Sequence, residues 1–276
     1  MRPSSARRAL IVALRKDFAI ALRYPIDLIG SFAASALMVL LLVMAAKPFM
    51  PGGQGFPPGF ALSVSWGGFL LLLSTSPLYE LSISVRQEKI NGTLEQIFLS
   101  PSPKLALLLG RALRSQILSA IYGVGYLASA AYALGGLQIS DLPLGICYLL
   151  LGIPVFYGLG FVVLALTFNI REIIPVVTML QIGLVFLSGI LLPFDLMPVS
   201  LRTLAIFMPT SYSVDLFRSA ISGSRPELLY RLPPDSARVV ESAFAFLVAV
   251  LLPLLGILAF KATVRRAKHR GGLQQG

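Results

Sequence analysis

Residues 142–168 read Leu142-Pro-Leu-Gly-Ile-Cys147-Tyr-Leu-Leu-Leu-Gly152-Ile-Pro154-Val-Phe-Tyr-Gly158-Leu-Gly160-Phe-Val-Val-Leu-Ala-Leu-Thr-Phe168, 27 positions without a charged side chain. A helix of about 20 apolar residues crosses a bilayer, and a charge at its centre costs roughly 3 kcal/mol on insertion scales. Reading outward, five more stretches lack Asp, Glu, Lys, Arg and His: 28–46, 60–79, 117–137, 173–194 and 243–260, which are 19, 20, 21, 22 and 18 residues long. The whole chain is 56% hydrophobic and 13% charged, with mean hydropathy +0.82, where soluble domains carry about 25% charged residues. These values exclude a disordered chain, a disulfide scaffold and an ordinary cytosolic enzyme. They predict an all-α polytopic membrane protein of six transmembrane helices in one domain spanning residues 1–276.

Six spans place both ends of the chain on one side of the membrane. That side takes 1–27, 80–116, 169–172 and 261–276, and these segments hold 17 of the 23 Lys and Arg residues. The 12 acidic residues divide six and six, so the net charge of +11 lies on one face. The positive-inside rule makes that face cytoplasmic, which predicts a cytoplasmic (inner) membrane protein with both termini inside. Basic residues flanking spans suit anionic lipid headgroups better than nucleic acid. The first apolar stretch is too long for a signal-peptide core and reads as an uncleaved anchor. Cys147 is the only cysteine, so there is no disulfide framework and no thiolate metal site.

Three segments between the spans have patterns of their own. In Arg7–Arg23, Leu10, Ile11, Leu14, Phe18 and Leu22 share one face beside Arg8, Arg15, Lys16 and Arg23. The pattern suits an amphipathic helix lying in the plane of the interface, or a basic flank that only sets topology. In 80–116, Asn91-Gly92 signals a turn. Thr93 with Gln96 has capping-box form, and Pro101 stops the helix about two turns on. Leu94, Ile97 and Phe98 would form its apolar stripe, either docking into another protein's groove or packing back on the bundle. The third segment, 193–241, is too apolar for a solvated loop and too interrupted for a span. It reads as short helices re-entering the external leaflet, or as a surface cap, with Asp215 and Arg218 three apart on one face.

Catalytic constellations are missing. No carboxylate falls within a span, the single His269 lies in a basic tail, and the span Ser and Thr residues have no base nearby. Proton-driven carriers use intramembrane Asp, Glu or His. Sodium coupling through helices broken at Pro77, Pro154, Pro175, Pro193 or Pro253 stays open. There is no GxxxxGK[ST] phosphate loop, so energy for uphill transport has to come from a partner.

Two motifs resemble the permease subunits of type-2 ABC exporters, the class of drug-resistance and polysaccharide export permeases. One is Glu88-Lys-Ile-Asn-Gly92-Thr93-Leu94-Glu95-Gln-Ile97-Phe98-Leu-Ser100-Pro101. The other is Ser188-Gly189-Ile-Leu-Leu-Pro193, continuing through Met197-Pro198 to Pro209-Thr-Ser-Tyr212-Ser-Val-Asp215-Leu-Phe-Arg218. The resemblance implies a permease dimer, homomeric or heteromeric, docked on two ABC ATPase subunits. ATP and Mg would bind those ATPase subunits, and this chain would carry no cofactor or nucleotide-binding domain and would not itself be an enzyme. Glu88, Gly92, Thr93, Leu94, Glu95, Ile97 and Phe98 would form the ATPase-coupling segment. Ser188, Gly189, Pro193, Pro198, Pro209, Tyr212, Asp215 and Arg218 would form the external gate and re-entrant segment. By the same analogy Trp66, Phe69, Thr178, Gln181 and Phe186 are candidate path residues. The function implied is export of a hydrophobic or amphipathic, drug-like substrate (multidrug efflux), with polysaccharide or lipid-linked glycan export as the alternative. An ion-driven secondary carrier and a non-transporting scaffold or assembly factor are the readings outside this class.

Overall fold

A computed structural model describes residues 25–46, 63–92, 104–137, 139–167 and 172–269, together with Arg23 and Ile170. The helices are α1 (Pro25–Ala46), α2 (Gly68–Ile90, entered through a π-helical turn at Ser63–Gly67), α3 (Lys104–Leu134), α4 (Leu142–Leu166), α5 (Ile174–Leu187), α6 (Val199–Ala205), α7 (Ser211–Ser222) and α8 (Pro234–His269). A 3₁₀ turn at Phe194–Leu196 precedes α6, and no strand occurs among the described residues. The in-plane helix expected over Arg7–Arg23 and the helix expected from Thr93 lie outside the described residues, apart from Arg23.

Four helices are long and apolar enough to cross a membrane: Ser65–Ile90, Leu105–Leu134, Leu142–Leu166 and Pro234–Arg266. Three of them overrun the charge-free windows because a helix does not stop where the hydrocarbon does. α2 runs to Ile90 where the window ended at 79, α3 starts at Lys104 rather than 117, and α8 covers 234–269 rather than 243–260. The fifth window behaves differently. α5 has 14 residues, about 21 Å at 1.5 Å per residue, and stops at Ser188–Gly189, where Gly189 takes φ +75°. A Cβ there would also meet the Phe194 ring at 2.7 Å, so this turn requires glycine.

The bundle is close-packed through small residues. A Cβ on Gly158 of α4 would lie 2.6 Å from the Pro253 nitrogen of α8, and one on Gly256 would lie 2.6 Å from the Gly158 carbonyl oxygen. A Cβ on Gly160 would meet the Pro77 carbonyl oxygen of α2 at 2.7 Å. Small residues bring membrane helices to backbone contact in this way. The Tyr126 hydroxyl of α3 occupies the space over Gly68, and Phe69 lies against Gly123. Buried Leu81, Val85, Tyr157, Phe161, Leu164 and Phe260 close the core between α2, α4 and α8.

The prolines do not break the long helices: Pro77, Pro154 and Pro253 lie inside α2, α4 and α8. Pro175 sits in the first turn of α5, where its missing N–H costs nothing. Inside a helix, proline leaves the carbonyl four residues back without its donor. For Pro77 that carbonyl is Leu73, and the buried Gln116 of α3 donates to it from Nε2 at 3.3 Å. Ser76 bonds Ser115 at 2.9 Å one turn away, so α2 and α3 are locked where α2 is weakest. Gln116→Leu should therefore lower unfolding stability in detergent by about 1 kcal/mol. Pro77→Ala in the same chain should recover most of that loss, because it restores the backbone donor. A double variant no more stable than Gln116→Leu would remove this account.

Candidate functional site

The bundle has two chemically different ends. At one, which we call the capped end, residues 188–233 fold over α2, α4 and α8. At the other, the bridged end, two ion pairs tie helices together.

The capped end is built on α7, whose residues Ser211–Ile221 are all buried. Gly223, at φ +69°, closes α7 in the left-handed conformation. The backbone N–H groups of Ser140 and Asp141 donate to the Ile221 and Ala220 carbonyls at 2.8 and 3.1 Å. Asp141 in turn caps α4 by accepting from the Leu144 N–H at 3.0 Å. The helix is thus fixed end-on to the start of α4.

The motif residues expected at the external gate come together here. The fully buried Ser188 and Thr210 hydroxyls bond each other, and Ser211 Oγ donates to the Leu187 carbonyl at 3.4 Å. Arg218 Nη2 donates to the Ile190 carbonyl at 2.6 Å. Gly67 lies against the same carbonyl and guanidinium, leaving no room for a side chain. Tyr212 donates to the Ile206 carbonyl at 2.8 Å and stacks on Phe244 at 5.4 Å. Pro193 and Pro198 occupy the N-cap positions of the 3₁₀ turn and of α6, and Pro209 is half-buried before α7.

Asp215 and Arg218 share α7, as their spacing predicts, and each is also committed to a loop. Asp215 Oδ2 accepts the N–H groups of Glu227 and Leu228, both at 2.7 Å. Burial pushes the Asp215 carboxyl above its usual range, opposed by those two N–H groups and by Arg218. Burial also pulls Arg218 down to about 10, against the attraction of Asp215, Asp195 and Glu227.

At the bridged end Arg111 of α3 meets Glu88 of α2 at 2.6 Å, and Arg86 of α2 meets Glu172, just before α5, at 2.8 Å. The Asn91 and Gly92 N–H groups close α2 onto Gln87 and Lys89, and Gly92 turns at φ +68°. Of the expected coupling residues, Glu88 and Gly92 sit there. Thr93, Leu94, Glu95, Ile97 and Phe98 lie outside the described residues.

The candidate path residues scatter. Trp66 and Phe69 are buried, with Trp66 edge-on to Phe217 at 5.6 Å and to Phe69 at 6.0 Å. Thr178 bonds the Tyr79 hydroxyl at 2.9 Å, joining α2 and α5. Gln181 is half-buried, and Phe186 is exposed on the α5 face that also carries Met179 and Ile182. An apolar crevice between α2, α4 and α7 is lined by Leu70, Leu73, Leu149, Phe156, Val214 and Phe217.

The model of the ABC-2 type transporter family matches residues 8–222. The chain belongs to the ABC-2 type transporter family. Nodulation protein J of Rhizobium leguminosarum bv. viciae is 31% identical over 107 residues, 39% of this chain and 37% of the relative. Nodulation protein J of Rhizobium leguminosarum bv. trifolii is 35% identical over 101 residues, 37% of each chain. The chain thus matches little more than a third of the length of these relatives.

Sequence reading passed over Gly67, Gln116, Glu172, Thr210 and Glu241. Gln116 and Glu241 stand one and two residues outside charge-free windows, a position that marks a polar group able to reach inward. Gly67 and Thr210 carry no such signal. Arg218→Met should expose the 188–191 turn to amide hydrogen exchange and lower Tm, at a cost of about 2 kcal/mol for the lost charged hydrogen bond. Unchanged protection of Ile190 and Leu191 would remove Arg218 from that role.

Proposed function

We propose that this family member is the membrane-spanning subunit of an ATP-binding-cassette exporter. It moves a hydrophobic or amphipathic substrate across the cytoplasmic membrane on ATP hydrolysed by separate partner subunits. In this reading α1 and α5 also cross the bilayer, completing six spans with the basic, bridged end in the cytoplasm. Two such chains assemble on two ATPase subunits, through the segment 88–101.

The observation that carries the reading is the continuity of α2. Its 23 residues, about 34 Å of helix, join Trp66, Gly67 and Phe69 under the capped end to Arg86 and Glu88 at the bridged end. Pro77, the one interior weak point, is braced by Gln116. A rod of that length carries a displacement at the coupling segment to the cap, while Arg86–Glu172 and Arg111–Glu88 pass it to α5 and α3. A hydrophobic or amphipathic cargo suits apolar stretches that carry no charged side chain, and a polysaccharide or lipid-linked glycan is the alternative cargo.

Copurification in mild detergent tests the partner directly. A stoichiometric ATPase should accompany the wild-type chain and be lost from Leu94→Asp. Glu88→Arg should retain the ATPase while lowering substrate-stimulated hydrolysis about tenfold, a loss of roughly 1.4 kcal/mol in coupling. Adding Arg111→Glu should restore it by re-forming the pair with its charges exchanged. A chain that purifies without an ATPase, and drives flux on an ion gradient alone, would replace this reading with a secondary carrier. Stimulation by lipid-linked glycans and not by amphipathic drugs would keep the exporter and change its cargo.

A further inference from the structure

Two glycines stand in succession at the head of α2, Gly67 and Gly68. Neither has a positive φ, and Gly67 is helical at φ −63°, ψ −45°. The backbone there does not call for glycine, and within a helix glycine is destabilising relative to alanine. What both positions lack is room. A Cβ on Gly67 would lie 2.2 Å from the Ile190 carbonyl oxygen and 3.0 Å from Arg218 Nη2. One on Gly68 would lie 2.0 Å from the Tyr126 hydroxyl of α3.

The two contacts differ in kind. Gly68 faces the far end of a tyrosine side chain, whereas Gly67 faces main chain. Ile190 is 0% exposed, lies in the turn after α5, and accepts from Arg218 Nη2 of α7 at 2.6 Å. Gly67 therefore touches, at one oxygen, the bond that ties α7 to the 188–191 turn. Trp66 completes the fit, edge-on at 5.6 Å to Phe217, the residue before Arg218. Residues 66–67 of α2 thus seat on residues 217–218 of α7 and on Ile190. A π-helical turn, Ser63–Gly67, ends at this point, and such turns are rare and gather at functional sites.

Resting on the exporter reading above, we propose that Gly67 is a positioning residue: it seats α2 on the Ile190 carbonyl and Arg218, and through that seat the coupling segment sets the 188–191 turn. A contact with main chain on both sides has no rotamer to change. A displacement of α2 either carries Ile190 with it or parts from it. Alanine at 67 holds the two apart in every state, because the Ile190 carbonyl cannot turn aside without leaving Arg218.

Hydrogen exchange of the 188–191 amides reads the seat, first in the full chain alone and then in the ATPase complex, both in lipid nanodiscs. In the chain alone, Gly67→Ala should exchange there about tenfold faster than wild type. Gly68→Ala, a change of the same size one residue away, should keep wild-type exchange at that turn. In the wild-type complex, trapping ATP with vanadate should speed exchange at 188–191 about tenfold over the nucleotide-free state. The Gly67→Ala complex should hydrolyse ATP and show the fast exchange in both states. Unchanged exchange in Gly67→Ala, the same acceleration in Gly68→Ala, or a wild-type turn indifferent to ATP would each overturn the assignment. So would a Gly67→Ala complex with a lowered Tm and its response to ATP intact, since that is a packing role only. A chain with no ATPase partner would instead remove the exporter reading, and the chain alone would still decide whether Gly67 seats the turn. The wild-type complex decides the matter if Gly67→Ala does not assemble.

Discussion

A main chain removed from water has to find partners for its own polar groups, and the capped end is organised around that requirement. At three places a side chain from another element supplies a bond that a helix does not. Gln116 serves the Leu73 carbonyl freed by Pro77, Arg218 serves Ile190 past the end of α5, and Ser211 serves Leu187. Carboxylates do the converse for the 224–233 loop, where Asp215 and Glu241 accept three amides that no helix or strand employs. Each unsatisfied group at such depth would cost several kcal/mol. Non-helical backbone survives inside this molecule because polar residues were placed beside it, and those residues coincide largely with the family motif.

Much of this was legible in the sequence, and the reason is the bilayer. Hydrocarbon excludes charge so strongly that the four long helices announce themselves as windows without ionisable residues. The short helices after Pro193 were also readable, since Pro, Thr and Ser break an apolar run without making it polar. The boundaries were not readable. Charge marks where lipid ends, and α2 continues for eleven residues beyond Tyr79 because Arg86 and Glu88 find partners on α3 and ahead of α5.

The site was legible as composition and obscure as geometry. Ser188, Gly189, Tyr212, Asp215 and Arg218 could be selected by motif, but nothing in their spacing said that Arg218 reaches a carbonyl 28 residues earlier. Nor did it say that Gly67 yields the space for that contact. Trp66 and Phe69, chosen by analogy, pack in one cluster with Phe217, a contact between α2 and α7 that their spacing did not announce.

The glycine seam between α4 and α8 has a mechanical meaning. Side chains at a helix contact act as compliant bearings: they change rotamer and let the helices slip past each other. At Gly158 and Gly256 the touching atoms are backbone against backbone, so there is nothing to rearrange and no slack. α4 and α8 therefore move as one strut, with α7 riding on both. α5 makes the contrasting joint: it meets α2 through side chains, with Thr178 on Tyr79 and Glu172 on Arg86, whose rotamers can change.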